Sequence, residues 1–169
     1  MELKEYLKME IEGLDRQLPR VVDGLTQEEI SWQPKSGCNS IGLILFHIFK
    51  AEDSFIQARL KDTKELYESE NWYQKLGLDV KEQGAHYTEA QVNAFKVPKL
   101  ATILEYGAAV RKATLAQLDA AKPADFDKVM KMPWGDMPAI MLYSITVSHA
   151  VGHIGEMSYL RGLKRGMDK

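Results

Sequence analysis

Leu142-Tyr143-Ser144-Ile145-Thr146-Val147-Ser148-His149-Ala150-Val151-Gly152-His153-Ile154-Gly155-Glu156-Met157-Ser158-Tyr159-Leu160 is the stretch on which the reading of this chain turns. Leu142, Thr146, His149, His153, Glu156 and Leu160 recur at steps of three and four, so on an α-helix they share one face. The spacing predicts a helix over Met137 to Leu163 whose inward stripe carries two of the four histidines in the chain. Residues four apart stand one turn apart, and two imidazoles so placed can grip one metal ion.

The same period runs through most of the remaining sequence. Leu7, Ile11, Leu14, Leu18, Val21 and Leu25 draw a buried stripe on a first helix, about residues 2 to 24, with Gly24 and Thr26 at its end. Thr26-Gln27-Glu28-Glu29 has the pattern of a capping box that opens a short helical turn before Trp32 and Pro34. Asn39-Ser40 supplies the cap of a second long helix, about 40 to 61, bearing Ile41, Ile44, Leu45, His47, Ile48, Ala51, Phe55 and Leu60. His47 falls on the inward stripe of that helix. A third helix, about Lys99 to Ala121, carries Leu100, Ile103, Leu104, Gly107, Val110, Leu115 and Leu118.

Between the second and third long helices lies a polar stretch, 62 to 97, broken by Gly77 and Gly84 and expected to hold short helical pieces around Trp72 and Tyr87. Antiparallel neighbours need only a short loop, so a connection of this length is a crossover from one end of a bundle to the other or a lid over a site. Asp125 to Pro138 is read as irregular, turning at Pro133-Trp134-Gly135-Asp136. Four long amphipathic helices with one long crossover define an all-α four-helix bundle, expected to occupy 1 to 169 as a single domain. The second and fourth helices are then neighbours or diagonal partners, and either arrangement lets His47 face His149 and His153.

Composition agrees with a soluble globular chain: 169 residues, 45% hydrophobic and 27% charged. A formal net charge of −2 gives no basic excess for nucleic acid or an anionic membrane surface. One cysteine, Cys38, permits no intrachain disulfide and suits a reducing compartment. No apolar run reaches the ~18 to 20 residues of a membrane helix, and Met1-Glu2-Leu3-Lys4-Glu5 lacks a signal-peptide core. A cytoplasmic protein is expected.

Three neutral imidazoles at 47, 149 and 153 could hold Zn²⁺, Ni²⁺ or Fe²⁺ at ~2.0 to 2.2 Å and leave at least one coordination position open. The bland alternative is a chance pair of core histidines, each bonded to a carbonyl or carboxylate. The pair is not His-Glu-x-x-His, because Ala150 stands where a zinc protease carries its glutamate base.

Asn39-Ser40-Ile41-Gly42-Leu43-Ile44-Leu45-Phe46-His47-Ile48, followed by Pro133-Trp134-Gly135 and by His149-Ala150-Val151-Gly152-His153-Ile154-Gly155-Glu156-Met157, resembles the DinB-like superfamily in order and spacing. The resemblance covers almost the whole chain. It implies a four-helix bundle, metal-ligand roles for His47, His149 and His153, and a homodimer. Relatives often continue the last ligand as His-Arg-Gly-Gln, whereas this chain has His153-Ile154-Gly155-Glu156, so the basic residue is lost and a carboxylate replaces the amide. Glu156 has three open roles: bonding a ligand imidazole, coordinating the metal, or acting as a base; the alternative is a surface glutamate paired with Arg161 or Lys164.

The chemistry expected is a divalent metal lowering the pKa of a nucleophile. A metal-bound water falls to a pKa of ~7, which would make a hydrolase. A low-molecular-weight thiol would become thiolate, which suits the thiol transferases that the resemblance implies. The small-molecule substrate is not specified, and a non-catalytic metal-binding or stress-related interaction bundle is the alternative. Its mark would be a site without convergent polar groups beyond the three histidines. His86 reads as a solvated loop residue, Cys38 as a packing residue at a helix start, and Trp72, Tyr73 and Trp134 as pocket lining or loop anchors.

Overall fold

The computed structural model describes residues 1–132 and 135–166. In chain order the helices are α1 Leu3–Val22, α2 Gln27–Ser31, α3 Ile41–Asp53, α4 Leu66–Ser69, α5 Trp72–Leu76, α6 Glu89–Ala94, α7 Leu100–Ala120, α8 Pro123–Phe126 and α9 Ile140–Arg165. A π-helical segment, Ser54–Leu60, continues α3. The chain is all-α apart from a two-strand ribbon, β1 Val129–Met130 against β2 Met137–Pro138, antiparallel. Met137 therefore lies in that ribbon, and the fourth long helix starts three residues later than its apolar period suggests. Of the expected turn, Pro133 and Trp134 lie outside the described residues.

The four long helices form the bundle. α9 packs between α1 and α3, α7 packs on the other side of α3, and α1 meets α7 more loosely. Leu7 and Ile11 cluster with Tyr143, while Arg161 Nη1 donates to the carbonyl oxygens of Val21 and Asp23 near the far ends, so α1 and α9 run parallel. α3 runs opposite to α9 and alongside α7, with Glu52 meeting Arg111 and Phe49 meeting Gly107. The connection 62–97 must therefore return the chain the length of the bundle, which makes it the crossover expected of its length.

Local chemistry explains where the elements begin. Thr26 and Glu29 form the reciprocal capping box of α2, with Glu29 N–H donating to Thr26 Oγ1 at 3.2 Å and Thr26 N–H donating to Glu29 Oε2 at 2.8 Å. Ser40 caps α3 by accepting from Leu43 N–H. The first-helix stripe is buried as its period requires: Ile11 and Leu14 are fully enclosed, each contributing about 1.5 to 3 kcal/mol by removal from water. Gly107 lets α3 and α7 close up, because a Cβ there would sit 2.3 Å from the Phe49 ring.

A buried polar layer crosses the bundle beside this contact. Arg111 donates from Nε to Glu52 Oε1 at 3.1 Å and from Nη2 to Oε2 at 2.9 Å, and also to the Ile11 carbonyl. The Asp53 carboxylate accepts from Leu66 N–H at 3.0 Å, Tyr67 N–H at 2.9 Å and Tyr106 Oη–H at 2.7 Å. Asp53 thereby fastens the start of the crossover to the core. Burial pushes its carboxyl up to about 6 despite these three bonds, and burial likewise raises Glu52.

Candidate metal centre

The antiparallel contact of α3 and α9 brings His47 onto His149 and His153. Ring centroids lie 4.7 Å apart for His47 with each of the other two and 4.5 Å apart for His149 with His153. The three planes cross at 63°, 89° and 78°, so the rings meet like the faces of a corner. One nitrogen from each lies within 4.8 Å of the others, a span that an ion with ~2.1 Å bonds closes by small ring rotations. Among the described residues these three are the group of His, Cys, Asp and Glu side chains so gathered.

Hydrogen bonds on the outer side of the rings set their tautomers. His47 Nδ1–H donates to the Gly84 carbonyl at 2.6 Å, since a carbonyl only accepts, and Nε2 is left with its lone pair inward. His153 Nδ1–H donates to Glu156 Oε2 at 2.7 Å, with the same result for its Nε2. His149 Nε2 faces His47 Nε2 at 2.9 Å; one of the two must carry hydrogen, and the tautomer of His47 assigns it to His149. The donor set thus presents two lone pairs and one proton that an incoming cation would displace. Such a set fits a divalent ion.

Electrostatics favour the neutral, ligating form. Burial, reinforced by the two neighbouring imidazoles, pushes His149 down to about 4, and burial also lowers His47 against the opposing pull of the Gly84 carbonyl. Glu156 neither pairs with Arg161 nor with Lys164: Arg161 bonds the α1 carbonyls, and the Lys164 ammonium lies over the Trp32 ring. Of the roles left open for Glu156, its geometry is that of a partner to His153.

The crossover is also part of the site. Gly84 has φ +72, and a Cβ there would meet Lys50 Cγ at 2.7 Å, so only glycine carries its carbonyl down to His47. A cavity of about 680 Å³ opens beside His47 and His149, bounded by Ala51 and Phe55 and by the polar side chains Lys50, Arg59, Glu65 and His86. A second, of about 270 Å³, lies beside His47 and His153 under Gly84 to Tyr87. His86 is exposed, as a loop histidine should be, yet it lines both cavities from a left-handed backbone with φ +57. Sequence reasoning passed over it and over Lys50, Arg59 and Gly84; the one signal was a histidine two residues from a glycine in a polar connection.

The weaker candidates separate. Trp72 is buried against Tyr106 with ring centroids 5.7 Å apart, which makes it an anchor of the crossover, and Tyr73 packs on Tyr67. Neither lines the two cavities, nor does Cys38, half-buried before the α3 cap. Trp134 lies outside the described residues.

An antiparallel, histidine-bearing helix pair inside a four-helix bundle defines a class of helical proteins whose centre is compatible with metal binding. The family model for the DinB superfamily matches residues 10–157, and the chain belongs to that superfamily. Among solved structures, a conserved protein from Enterococcus faecalis shares the fold, with a TM-score of 0.87, 21% sequence identity and 99% of each chain covered. No curated protein matches the sequence. Among the described residues no helix is long and apolar enough to cross a membrane.

Proposed function

We propose that this protein is a divalent-metal-dependent enzyme, with His47, His149 and His153 as metal ligands and a small-molecule substrate in the adjoining cavity. The observation that carries the reading is the cavity itself: it opens on two of the three imidazoles and gathers Lys50, Arg59 and Glu65 as well. A bundle that only stored or was braced by metal would have no use for such a recess. The ion, when bound, supplies a Lewis acid that makes a water or a low-molecular-weight thiol nucleophilic near neutral pH.

This chain's own residues do the rest. Gly84 and Glu156 fix the tautomers of His47 and His153 by accepting from their Nδ1–H groups. Phe55, whose ring stands edge-on to His149 with centroids 6.0 Å apart, and Ala51 shield one wall from solvent. Glu156 Oε2 is committed to His153, which supports an orienting role over that of a base.

A homodimer on the outer face of α9 is part of the same reading. Between Ile140 and Leu163 the charged residues are Glu156 and Arg161, both engaged within the protein, while Val151, Tyr159 and Leu163 are exposed. Light scattering on the purified protein should give twice the chain mass.

Metal analysis tests the centre. After exposure to Zn²⁺ and desalting, the protein should retain about one ion per chain and His149→Ala almost none. Stoichiometric retention by His149→Ala, or none by the parent, sinks the reading. The loaded protein is then screened with electrophiles plus cellular thiols and, separately, with esters and amides, which divides thiol transfer from hydrolysis.

A further inference from the structure

We propose that the groove between α1 and α7 is a second ligand site, which takes a small primary amine with an apolar body and holds its ammonium by the carboxylate and the main-chain carbonyl of Asp15. The site is separate from the metal centre. Phe49, which floors the groove, stands two residues beyond His47 and so ~200° round α3, on the opposite side of that helix.

α1 and α7 run antiparallel and are tied toward one end, where Lys8 pairs with Asp119 at 3.1 Å and Arg111 donates to the Ile11 carbonyl. Beyond those ties they enclose a recess of about 550 Å³, a size that suits a small ligand. Its apolar bed is Leu18, Val22 and Phe49. Ala108, exposed on α7, is too short to fill the mouth.

Asp15 brings two acceptors to the wall. Pro19 lies inside α1 and has no N–H, so the helix supplies no donor four residues on for the Asp15 carbonyl. A helix carbonyl points toward the residue four ahead, and Asp15 and Pro19 both line the groove, so this acceptor is on the groove side. The Asp15 carboxylate stands 3.5 Å from Arg111 Nη1, beyond the ~2.7 to 2.9 Å of a charge-assisted hydrogen bond, and the closer bonds of Arg111 go to Glu52 and Ile11. Burial accordingly raises the Asp15 carboxyl more than Arg111 lowers it, while Glu12 and Arg16 act on it in opposite senses. Of the other charged lining residues, Asp119 is held by Lys8, and the exposed Asp23 and Lys112 offset one another. An ammonium has three donors and no acceptor, the complement of a carboxylate and a free carbonyl on one helix turn.

The test compares 3-phenylpropylamine with 3-phenylpropan-1-ol and with trimethyl(3-phenylpropyl)ammonium, by calorimetry on the full-length protein at pH 8. Each is measured on zinc-loaded and on chelator-treated protein, because an amine can also coordinate a metal. The primary amine is expected to bind at least about tenfold more tightly than the alcohol in both forms, as a charge-assisted hydrogen bond confers. The trimethylammonium compound, a cation without N–H donors, should fall below the primary amine. Asp15→Asn should bring the amine down to the affinity of the alcohol. Pro19→Ala returns an N–H to the Asp15 carbonyl, so it should weaken the amine severalfold and leave the alcohol unchanged. Equal binding of amine and alcohol to the parent protein, an amine preference seen only with zinc bound, a trimethylammonium compound that binds as tightly as the primary amine, or a preference unchanged in Asp15→Asn overturns the proposal. The parent comparison needs no variant, so a poorly folding substitution does not rescue it. Loss of zinc binding with the amine preference intact would instead overturn the metal reading alone.

Discussion

Two polar regions sit on the same helix and are built to opposite plans. Glu52 and Asp53 near the end of α3 enter a layer in which Arg111, Tyr106 and the amides of Leu66 and Tyr67 supply the hydrogen bonds that the carboxylates need. His47, one and a half turns earlier, has its outer nitrogen fastened to a backbone carbonyl, while its inner nitrogen meets other imidazoles, accepting from His149 alone. A polar group closed on its partners holds a structure together, whereas one left converging with others of its kind awaits a ligand.

The largest expected separation of the two regions is in stability. Glu52→Ala leaves the buried Arg111 guanidinium with only the half-exposed Asp15 carboxylate at 3.5 Å and the Ile11 carbonyl, and should cost about 3 kcal/mol by urea unfolding. His47→Ala in metal-free protein should cost less than about 1 kcal/mol while losing zinc. Equal costs would erase the distinction.

A second measurement sharpens it through pH. Asp53 has a folded-state pKa of about 6 against an ordinary value of 3.8, so the folded protein holds that proton more tightly than the unfolded chain. Its contribution is therefore greatest below pH ~4 and is lost as pH rises through about 6, roughly 2 kcal/mol of it between pH 4.5 and 7.5. Asp53→Asn cannot titrate, so relative to the parent it should gain about that amount over the same interval. A parallel pair of stability curves would contradict this.

At the metal centre, Glu156→Gln should weaken zinc binding by about tenfold, near the low end for an outer partner of a ligand histidine because the Glu156 side chain is 56% exposed. Its metal-free melting temperature should not move. The smallest effect is expected from Lys8→Ala, which deletes a surface pair with Asp119 at 3.1 Å and should change stability by less than ~0.5 kcal/mol.

The long helices were legible because burial imposes a period that single residues cannot hide: Leu7, Ile11, Leu14 and Leu18 are buried where the stripe puts them, and His47 faces His149 as its register required. The Thr26 box and the Ser40 cap were legible for the same local reason. What escaped was non-local. Glu52 and Arg111 are 59 residues apart, and nothing near either announces the other. The π segment leaves the apolar pattern of α3 intact, so the sequence reads as one helix through Leu60. Gly84 and His86 acquire their places only when the crossover folds back over α3, and Met137-Pro138 leaves the fourth helix because it finds a strand partner in Val129-Met130.

The inner nitrogens of His47 and His149 are 102 residues apart in sequence and 2.9 Å apart in space. During synthesis α1, α3 and α7 leave the ribosome before α9 exists, so a nascent chain carries one imidazole of the three until α9 emerges. Whatever the centre binds, it binds only once α9 has docked on α3, and products cut short before His149 would lack that affinity.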